Sequence, residues 1–167
     1  MRIPQLAKRG ESGRDWYATA YIALRTEASA LEISVDRFAG IVAVLSPRLP
    51  WDRNIAYATH LVRSGWCPAL GRSVGKALRI RAGEPSLSVL SGPKVRAFYR
   101  ALLGDPDACV LDSWMLRALG AKSDKPTALQ YAKHEARFRK FAARAGVPVA
   151  SYQAMVWTGI RNLNGAK

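Results

Sequence analysis

The stretch SGPKVRAFYRALLGDPDACVLDSW, residues 91–114, contains the pattern that decides the fold. It has a turn at Ser91-Gly92-Pro93, with Lys94 directly after it, and a second turn shortly before Asp112. The residues between the two turns recur with helical period. We therefore expect a helix over residues 94–103, and a further helix that begins at Asp112.

The amino-acid composition indicates a folded domain with a polyanionic partner. The chain has 167 residues, 49% of them hydrophobic, which is enough for the core of one domain of ordinary size. Lysine and arginine outnumber the acidic residues 26 to 12, so the formal charge is +14. An excess of this size favours nucleic acid as the partner, although ribosomal, structural and membrane-surface proteins share it. The charge is spread through the chain and is not gathered in a tail.

Other features of the sequence limit the cellular compartment and the kinds of partner that we expect. The longest apolar run is far shorter than the roughly 18 residues that a membrane helix needs, so we expect no membrane partner. The first residues, MRIPQLAKRG, lack the apolar centre of a secretory signal. The two cysteines, Cys67 and Cys109, cannot form a four-cysteine zinc or iron–sulfur site. The sequence predicts a reducing, cytoplasmic setting and no metal site.

Helical periodicity runs through almost the whole chain, and strand-like alternation never persists beyond four residues. Ser34 has the character of an N-cap, and the segment after it carries an apolar stripe at three- and four-residue spacing. The predicted helices cover residues 14–31, 35–46, 51–64, 74–82, 85–90, 94–103, 112–119, 125–145 and 148–162. We therefore expect an all-α domain of about eight helices with short connections.

The turn at Gly92 is suited to gripping a phosphate. A glycine lets backbone N–H groups approach an anion, and the following helix points its positive N-terminal end at the same place. Lys94 adds a cation, and a lysine held near a carboxylate such as Asp112 can act as an amine nucleophile. The carboxylate can stabilise positive charge that develops on a sugar. An ordinary helix–helix turn and a helix-capping aspartate are the structural alternatives.

These residues resemble the helix-hairpin-helix DNA glycosylase superfamily (HhH-GPD), which includes endonuclease III and the 8-oxoguanine glycosylases. LSGPKV, one helix and then VLDSW are similar to the family's hairpin, lysine, helix and catalytic aspartate. IVAVLSPRLPWDRNIAYA resembles its helix, DNA-inserting loop and following helix. The strings SPRLPWDRN, GPKVRAFY and YQAMVW also resemble short phage and actinobacterial proteins. The chain departs from the family pattern at Leu90, in place of the first hairpin glycine, at Trp114, and in lacking the iron–sulfur cysteines.

The resemblance implies a fold and an activity. It implies one domain over residues 1–167, with a middle lobe at about 34–120, a second lobe from 14–33 plus 125–162, and a cleft between them. The activity would be that of a monomeric DNA N-glycosylase that flips a damaged or modified nucleotide out of double-stranded DNA. Asp112 would stabilise the oxocarbenium-like state, and Lys94, as a Schiff-base former in the same slot, would add AP-lyase activity.

The resemblance also bears on cofactors, setting and alternative functions. Because the iron–sulfur cysteines are missing and only two cysteines occur, we expect no iron–sulfur or zinc cofactor. A monovalent cation at the hairpin is compatible with the resemblance. A place in the nucleoid or in an infected host cell fits it. Some phage relatives are instead linked to attaching an amine to an activated base, which keeps the glycosidic bond intact. In a non-catalytic DNA-binding protein, Lys94 would touch phosphate and Asp112 would only cap its helix.

DNA contacts and a base pocket follow from the same resemblance. The predicted DNA-binding residues are Gly92 and Arg96 at the hairpin, Arg72 and Lys76 upstream of it, Arg48 and Leu49 in the wedge loop 46–50, and Asn54. Asn54 would orient the opposite strand or make a local bond. Gln153 and Trp157, four residues apart on the last helix, would read and stack on the flipped base. Trp16 and Tyr17 would form the opposite wall, with an ordinary place in the core as the alternative.

Overall fold

The computed structural model describes residues 2–163, and over this range the chain is all-α, with ten helices and one 3₁₀ turn. The all-α prediction is therefore confirmed. The helices are α1 Ile3–Arg9, α2 Trp16–Ala30, α3 Val35–Leu45, α4 Trp51–Ser64, α5 Gly71–Arg81, α6 Ser86–Val89, α7 Pro93–Leu102, α8 Ser113–Ala118, α9 Ala128–Ala145 and α10 Val149–Leu163. The 3₁₀ turn, Glu11–Gly13, follows α1.

Helix α1 is the element that the sequence pattern did not predict. It has only seven residues, of which Ile3, Leu6 and Ala7 are buried. Isolated helices of this length are unstable in water, so packing must supply most of the stability. That packing is against α10, which lies at the far end of the sequence and leaves no local signal in residues 3–9.

The chain divides into two compact units. Residues 20–103 form one, here called the hairpin unit, and residues 2–19 with 104–163 form the other, called the aspartate unit. This division differs from the predicted lobes at two places: residues 20–33 belong to the hairpin unit, and residues 104–120 belong with the two ends of the chain. The place of residues 104–120 has a clear cause. The reason is apolar packing, since Leu111, Met115 and Leu119 share a core with α1, α9 and α10.

Helix α3 is the centre of the hairpin unit. Every residue from Phe38 to Leu45 is buried, and α4, α5, α6 and α7 all pack against this helix. A helix that is apolar on all sides is stable in water only when other helices surround it. Its N-cap is Ser34, as predicted, whose hydroxyl accepts a hydrogen bond from the N–H of Arg37 at 3.2 Å.

Tyr99 of α7 links that helix to the start of α3, and this link makes stability sensitive to alkali. The buried phenol donates a hydrogen bond to the carboxylate of Asp36. Burial, together with this bond, raises the pKa of Tyr99 to about 12. Between pH 10 and 12 the unfolded chain releases a proton that the folded protein keeps. The contribution of Tyr99 is therefore complete below about pH 10 and is lost as the pH rises further.

A Tyr99→Phe variant tests this alkaline loss of stability. At pH 8 we expect the variant to unfold with a free energy about 1 kcal/mol below that of the wild type, because one hydrogen bond is missing. The difference in free energy of unfolding between the wild type and the variant should narrow as the pH approaches 12. Only the wild type then loses the stabilisation that protonated Tyr99 provides. Urea denaturation at pH 8 and pH 11.5 measures both values. If the two proteins differ by the same free energy at both pH values, Tyr99 is not the source of the alkaline loss of stability.

The aspartate unit is built on backbone contact between α1 and α10. A Cβ atom placed on Gly159 of α10 would lie 2.0 Å from the carbonyl oxygen of Leu6. A Cβ on Gly10, at the end of α1, would lie 2.0 Å from the carbonyl oxygen of Met155. No side chain fits at either position, so the two glycines set how closely the helices pack.

Candidate functional site

Asp112 lies at the end of a short buried segment that α9 holds in place. Residues 108–111 are all buried. The hydroxyl of Tyr131, on α9, accepts a hydrogen bond from the N–H of Leu111 at 3.1 Å and donates one to the carbonyl of Cys109 at 3.4 Å. Burial raises the pKa of Tyr131, so the phenol remains protonated at neutral pH. Tyr131 thereby fixes the backbone that leads into Asp112.

The sequence analysis did not identify Tyr131 as a residue of the site. It lies on the apolar stripe of α9, where an aromatic side chain is ordinarily part of the core. The only signal was its hydroxyl group, because a buried tyrosine O–H usually finds a hydrogen-bond partner. That signal does not say which part of the chain supplies the partner.

The carboxylate of Asp112 accepts hydrogen bonds from two different helices. Oδ1 accepts from the backbone N–H of Met115 at 2.9 Å, so Asp112 is the N-cap of α8. Oδ2 accepts from the indole Nε1–H of Trp157, on α10, at 2.9 Å. Asp112 is therefore a helix cap, as the structural alternative predicted. Capping uses only Oδ1, and the hydrogen bond from Trp157 orients Oδ2 separately.

An aromatic and amide cluster continues from Trp157. The rings of Trp16 and Trp157 have centroids 6.3 Å apart, and Trp16 and Tyr17 meet edge to face at 4.9 Å. The hydroxyl of Tyr17 donates to Oε1 of Gln153, which is 4% exposed, at 2.7 Å. The predicted aspartate and all four predicted pocket residues therefore lie in one connected cluster within the aspartate unit.

The hydrogen bond between Tyr17 and Gln153 is maintained by the environment of the phenol. Burial raises the pKa of Tyr17, and the negative charge of Asp112 raises it further. The phenol is therefore a proton donor throughout the neutral range. Because Oε1 of Gln153 accepts this hydrogen bond, the orientation of the amide group is fixed.

Trp157 is held on more than one side. Its N–H is directed to Asp112, and the guanidinium carbon of Arg161 lies 4.8 Å from the ring centroid, one helical turn further along α10. These contacts define Trp157 as the residue that orients Asp112. The predicted stacking of a base on Trp157 stays a prediction.

The hairpin lies in the other unit, between α6 and α7. Gly92 directly precedes α7, with a φ angle of +83°, and Pro93 is the first helical residue. A Cβ atom on Gly92 would meet nothing within 4 Å, so the backbone conformation, not lack of space, requires glycine here. The predicted order of short helix, glycine turn and helix is confirmed.

Two of the predicted DNA-binding cations brace this hairpin. The guanidinium of Arg96 donates to the carbonyl oxygens of Leu90 and Leu87, both at 3.0 Å, and thereby caps the end of α6. The ammonium of Lys76 donates to the hydroxyl of Ser91. Arg72 is exposed near the start of α5. These contacts explain the shape of the turn, and binding of a phosphate there stays a prediction.

Lys94 extends from α7 toward the predicted wedge loop, residues 46–50. Its ammonium lies 3.5 Å from the hydroxyl of Ser46 and 5.5 Å from the ring centroid of Phe98. Lys94 belongs to the hairpin unit and Asp112 to the aspartate unit. Their joint action, inferred from the sequence, stays a prediction.

The wedge loop is tightly turned. The N–H of Leu49 donates to the carbonyl of Ser46 at 3.2 Å, and exposed Arg48 has a φ angle of +65°, which is unusual for a residue other than glycine. Asn54, by contrast, is 2% exposed and donates from Nδ2 to the carbonyl of Val42 at 3.1 Å. Asn54 therefore takes the local role, in which it joins α4 to the end of α3.

The described residues contain neither a metal-binding cluster nor a helix suited to a membrane. Within residues 2–163, no group of three or more His, Cys, Asp and Glu side chains is arranged to hold a metal ion. None of the helices in this range combines the length and the apolar character that crossing a membrane requires.

The fold and site define an all-α protein with an oriented carboxylate beside an aromatic cluster. Comparison with protein families matches residues 6–164 to DUF7178, a family of unknown function, and the chain belongs to this family. No curated protein and no solved structure matches the chain.

Proposed function

We propose that this protein is a DNA N-glycosylase that releases a damaged or modified base from double-stranded DNA. The observation that supports the proposal is the contact between Asp112 and Trp157. The sequence resemblance assigned these two residues to the catalytic group and the base pocket, and they are 45 residues apart in the chain. The net charge of +14 supports DNA as the partner.

In the proposed reaction, water replaces the base on the sugar. The glycosidic bond breaks and its electron pair leaves with the base, so positive charge develops on the sugar ring. The carboxylate of Asp112 stabilises that charge and accepts a proton from the attacking water. The N–H groups of Met115 and Trp157 hold the carboxylate in one orientation, so little reorganisation is needed during the reaction.

A panel of labelled duplexes, each with one modified base, tests this activity. The panel includes oxidised, deaminated, alkylated and hypermodified bases, and abasic sites are scored by strand cleavage in alkali. We expect the wild type to generate abasic sites on at least one class of duplex. If the protein binds the duplexes and produces no abasic site on any of them, the glycosylase proposal is wrong.

A non-catalytic DNA-binding protein is the second candidate function. The observation that favours it is the hydrogen bond from Met115 to Asp112, which is an ordinary helix cap. This candidate predicts DNA binding without turnover, and it predicts that replacing Asp112 changes stability alone. The same duplex panel distinguishes it, because any base release excludes a purely binding role.

Lys94 provides a separate prediction about strand cleavage. If its amine forms a Schiff base with the abasic sugar, borohydride reduction traps a covalent complex of protein and DNA. We expect Lys94→Gln to abolish this trapping, while Lys122→Gln, which removes an exposed lysine of the aspartate unit with no proposed role, leaves it nearly unchanged. Denaturing gel electrophoresis of the reduced mixture measures the trapped fraction. Equal trapping by Lys94→Gln and the wild type would remove Lys94 from this role.

A further inference from the structure

Trp114 is an exposed indole two residues after Asp112. Helix α8 buries Met115 and Leu116 in the core of the aspartate unit, whereas Trp114 is 43% exposed. Arg117, one turn further along α8, places its guanidinium carbon 5.5 Å from the centroid of the Trp114 ring. Trp114 and Arg117 together form an exposed pair, here called the α8 stack.

Trp114 is one of the large apolar side chains that remain exposed in the described part of the chain. Burying a large apolar side chain contributes about 1.5–3 kcal/mol to folding, and Trp114 leaves much of that contribution unused. In the chain, Trp114 follows by two residues the aspartate whose carboxylate the proposed reaction uses. The contact with Arg117 restricts the motion of the indole and adds positive charge beside it.

We propose that the α8 stack binds an unpaired or unstacked nucleobase of the DNA strand, next to the nucleotide from which the base is released at Asp112. An indole face stacks on any base, and the arginine attracts the flanking phosphate, so one surface matches both parts of a nucleotide. The charge of +14 favours this occupant over another apolar protein surface. The proposal rests on the proposed function, because it names the part of the substrate that this end of the site binds.

Trp114 is a positioning residue in this account. Stacking should contribute to affinity for the strand and should contribute little to breaking the bond. Trp114→Ala should therefore raise KM more than it lowers kcat. Trp114→Phe keeps an aromatic face and should retain most of the affinity.

The test measures binding apart from catalysis. The probe is a fluorescein-labelled duplex with one tetrahydrofuran abasic analogue, which has no glycosidic bond to cleave and leaves the opposite base unpaired. We expect Trp114→Ala to weaken binding about 5- to 100-fold, and Trp114→Phe by less than about 3-fold. Trp66→Ala is the matched control, since Trp66 is an exposed tryptophan of the hairpin unit, 59% exposed.

The outcomes separate this inference from the proposed function. Unchanged binding by Trp114→Ala, or an equal loss in Trp66→Ala, would overturn the role of the α8 stack. Neither result would contradict the proposed base release by the wild type. If instead the wild type releases no base while Trp114→Ala weakens probe binding selectively, the α8 stack is a nucleic-acid site and the glycosylase proposal is wrong.

Discussion

Replacing Gly159 by alanine is expected to lower the free energy of unfolding by about 3 kcal/mol or more. The new Cβ would lie 2.0 Å from the carbonyl oxygen of Leu6 and 2.9 Å from its carbonyl carbon, both backbone atoms of α1. Backbone cannot rotate away as a side chain can, so α1 must move off α10. That movement exposes Ile3 and Leu6, and each buried aliphatic side chain contributes about 1.5–3 kcal/mol.

The same substitution at Gly75 is the matched control. Gly75 lies inside α5, and a Cβ there would meet nothing within 4 Å. Alanine is favoured over glycine in a helix interior by about 1 kcal/mol, so Gly75→Ala should stabilise the protein. Urea denaturation followed by circular dichroism measures both variants. A destabilisation below about 1 kcal/mol for Gly159→Ala would contradict the backbone contact between α1 and α10.

Replacing Asp112 by asparagine is expected to slow base release by at least about 100-fold. Asparagine caps a helix as well as aspartate does, so the bond to Met115 can persist and the loss reports the missing charge. The substitution has one structural cost. If Oδ1 stays on Met115, the new amide N–H₂ faces the indole N–H of Trp157, which leaves two donors opposed and costs about 1–3 kcal/mol.

A double variant separates charge from stability. The double variant combines Asp112→Asn with Trp157→Phe, which removes the indole N–H that opposes the new amide. It should regain part of the stability that Asp112→Asn loses and none of the activity. Asp124→Asn is the control for net charge, since Asp124 is an exposed aspartate of the same unit, and it should retain full activity. Single-turnover rates on the best duplex of the panel measure the effect. A rate within about threefold of the wild type for Asp112→Asn would exclude a catalytic carboxylate.

The elements of the fold could be predicted well from local patterns. The apolar stripe after Ser34, the proline-bounded helix α4 and the glycine turn before α7 all have strong signals within a few residues. Helix α1 has no such signal, because its stability comes from α10. The close approach of Gly10 and Gly159 could not be predicted from the sequence either, because no spacing rule relates residues at opposite ends of the chain.

The site could be predicted in part. Asp112, Gln153 and Trp157 were identified from the resemblance, and Trp16 and Tyr17 as aromatic residues of the first helix. All five lie in one cluster. Their contacts could not be foreseen, because the choice of hydrogen-bond partner depends on packing. Arg96 illustrates the limit, since its guanidinium caps the last carbonyls of α6 although its place at the hairpin suggested a phosphate contact.

The most direct test of the central claim is the intact mass of the modified DNA strand after a single turnover with the wild-type protein. Breaking the glycosidic bond with water predicts that the strand mass falls by the mass of the released base minus one water. Asp112→Asn should leave the strand mass unchanged over the same time. An increase in strand mass, or no change on any duplex that the wild type binds, would contradict base excision at Asp112.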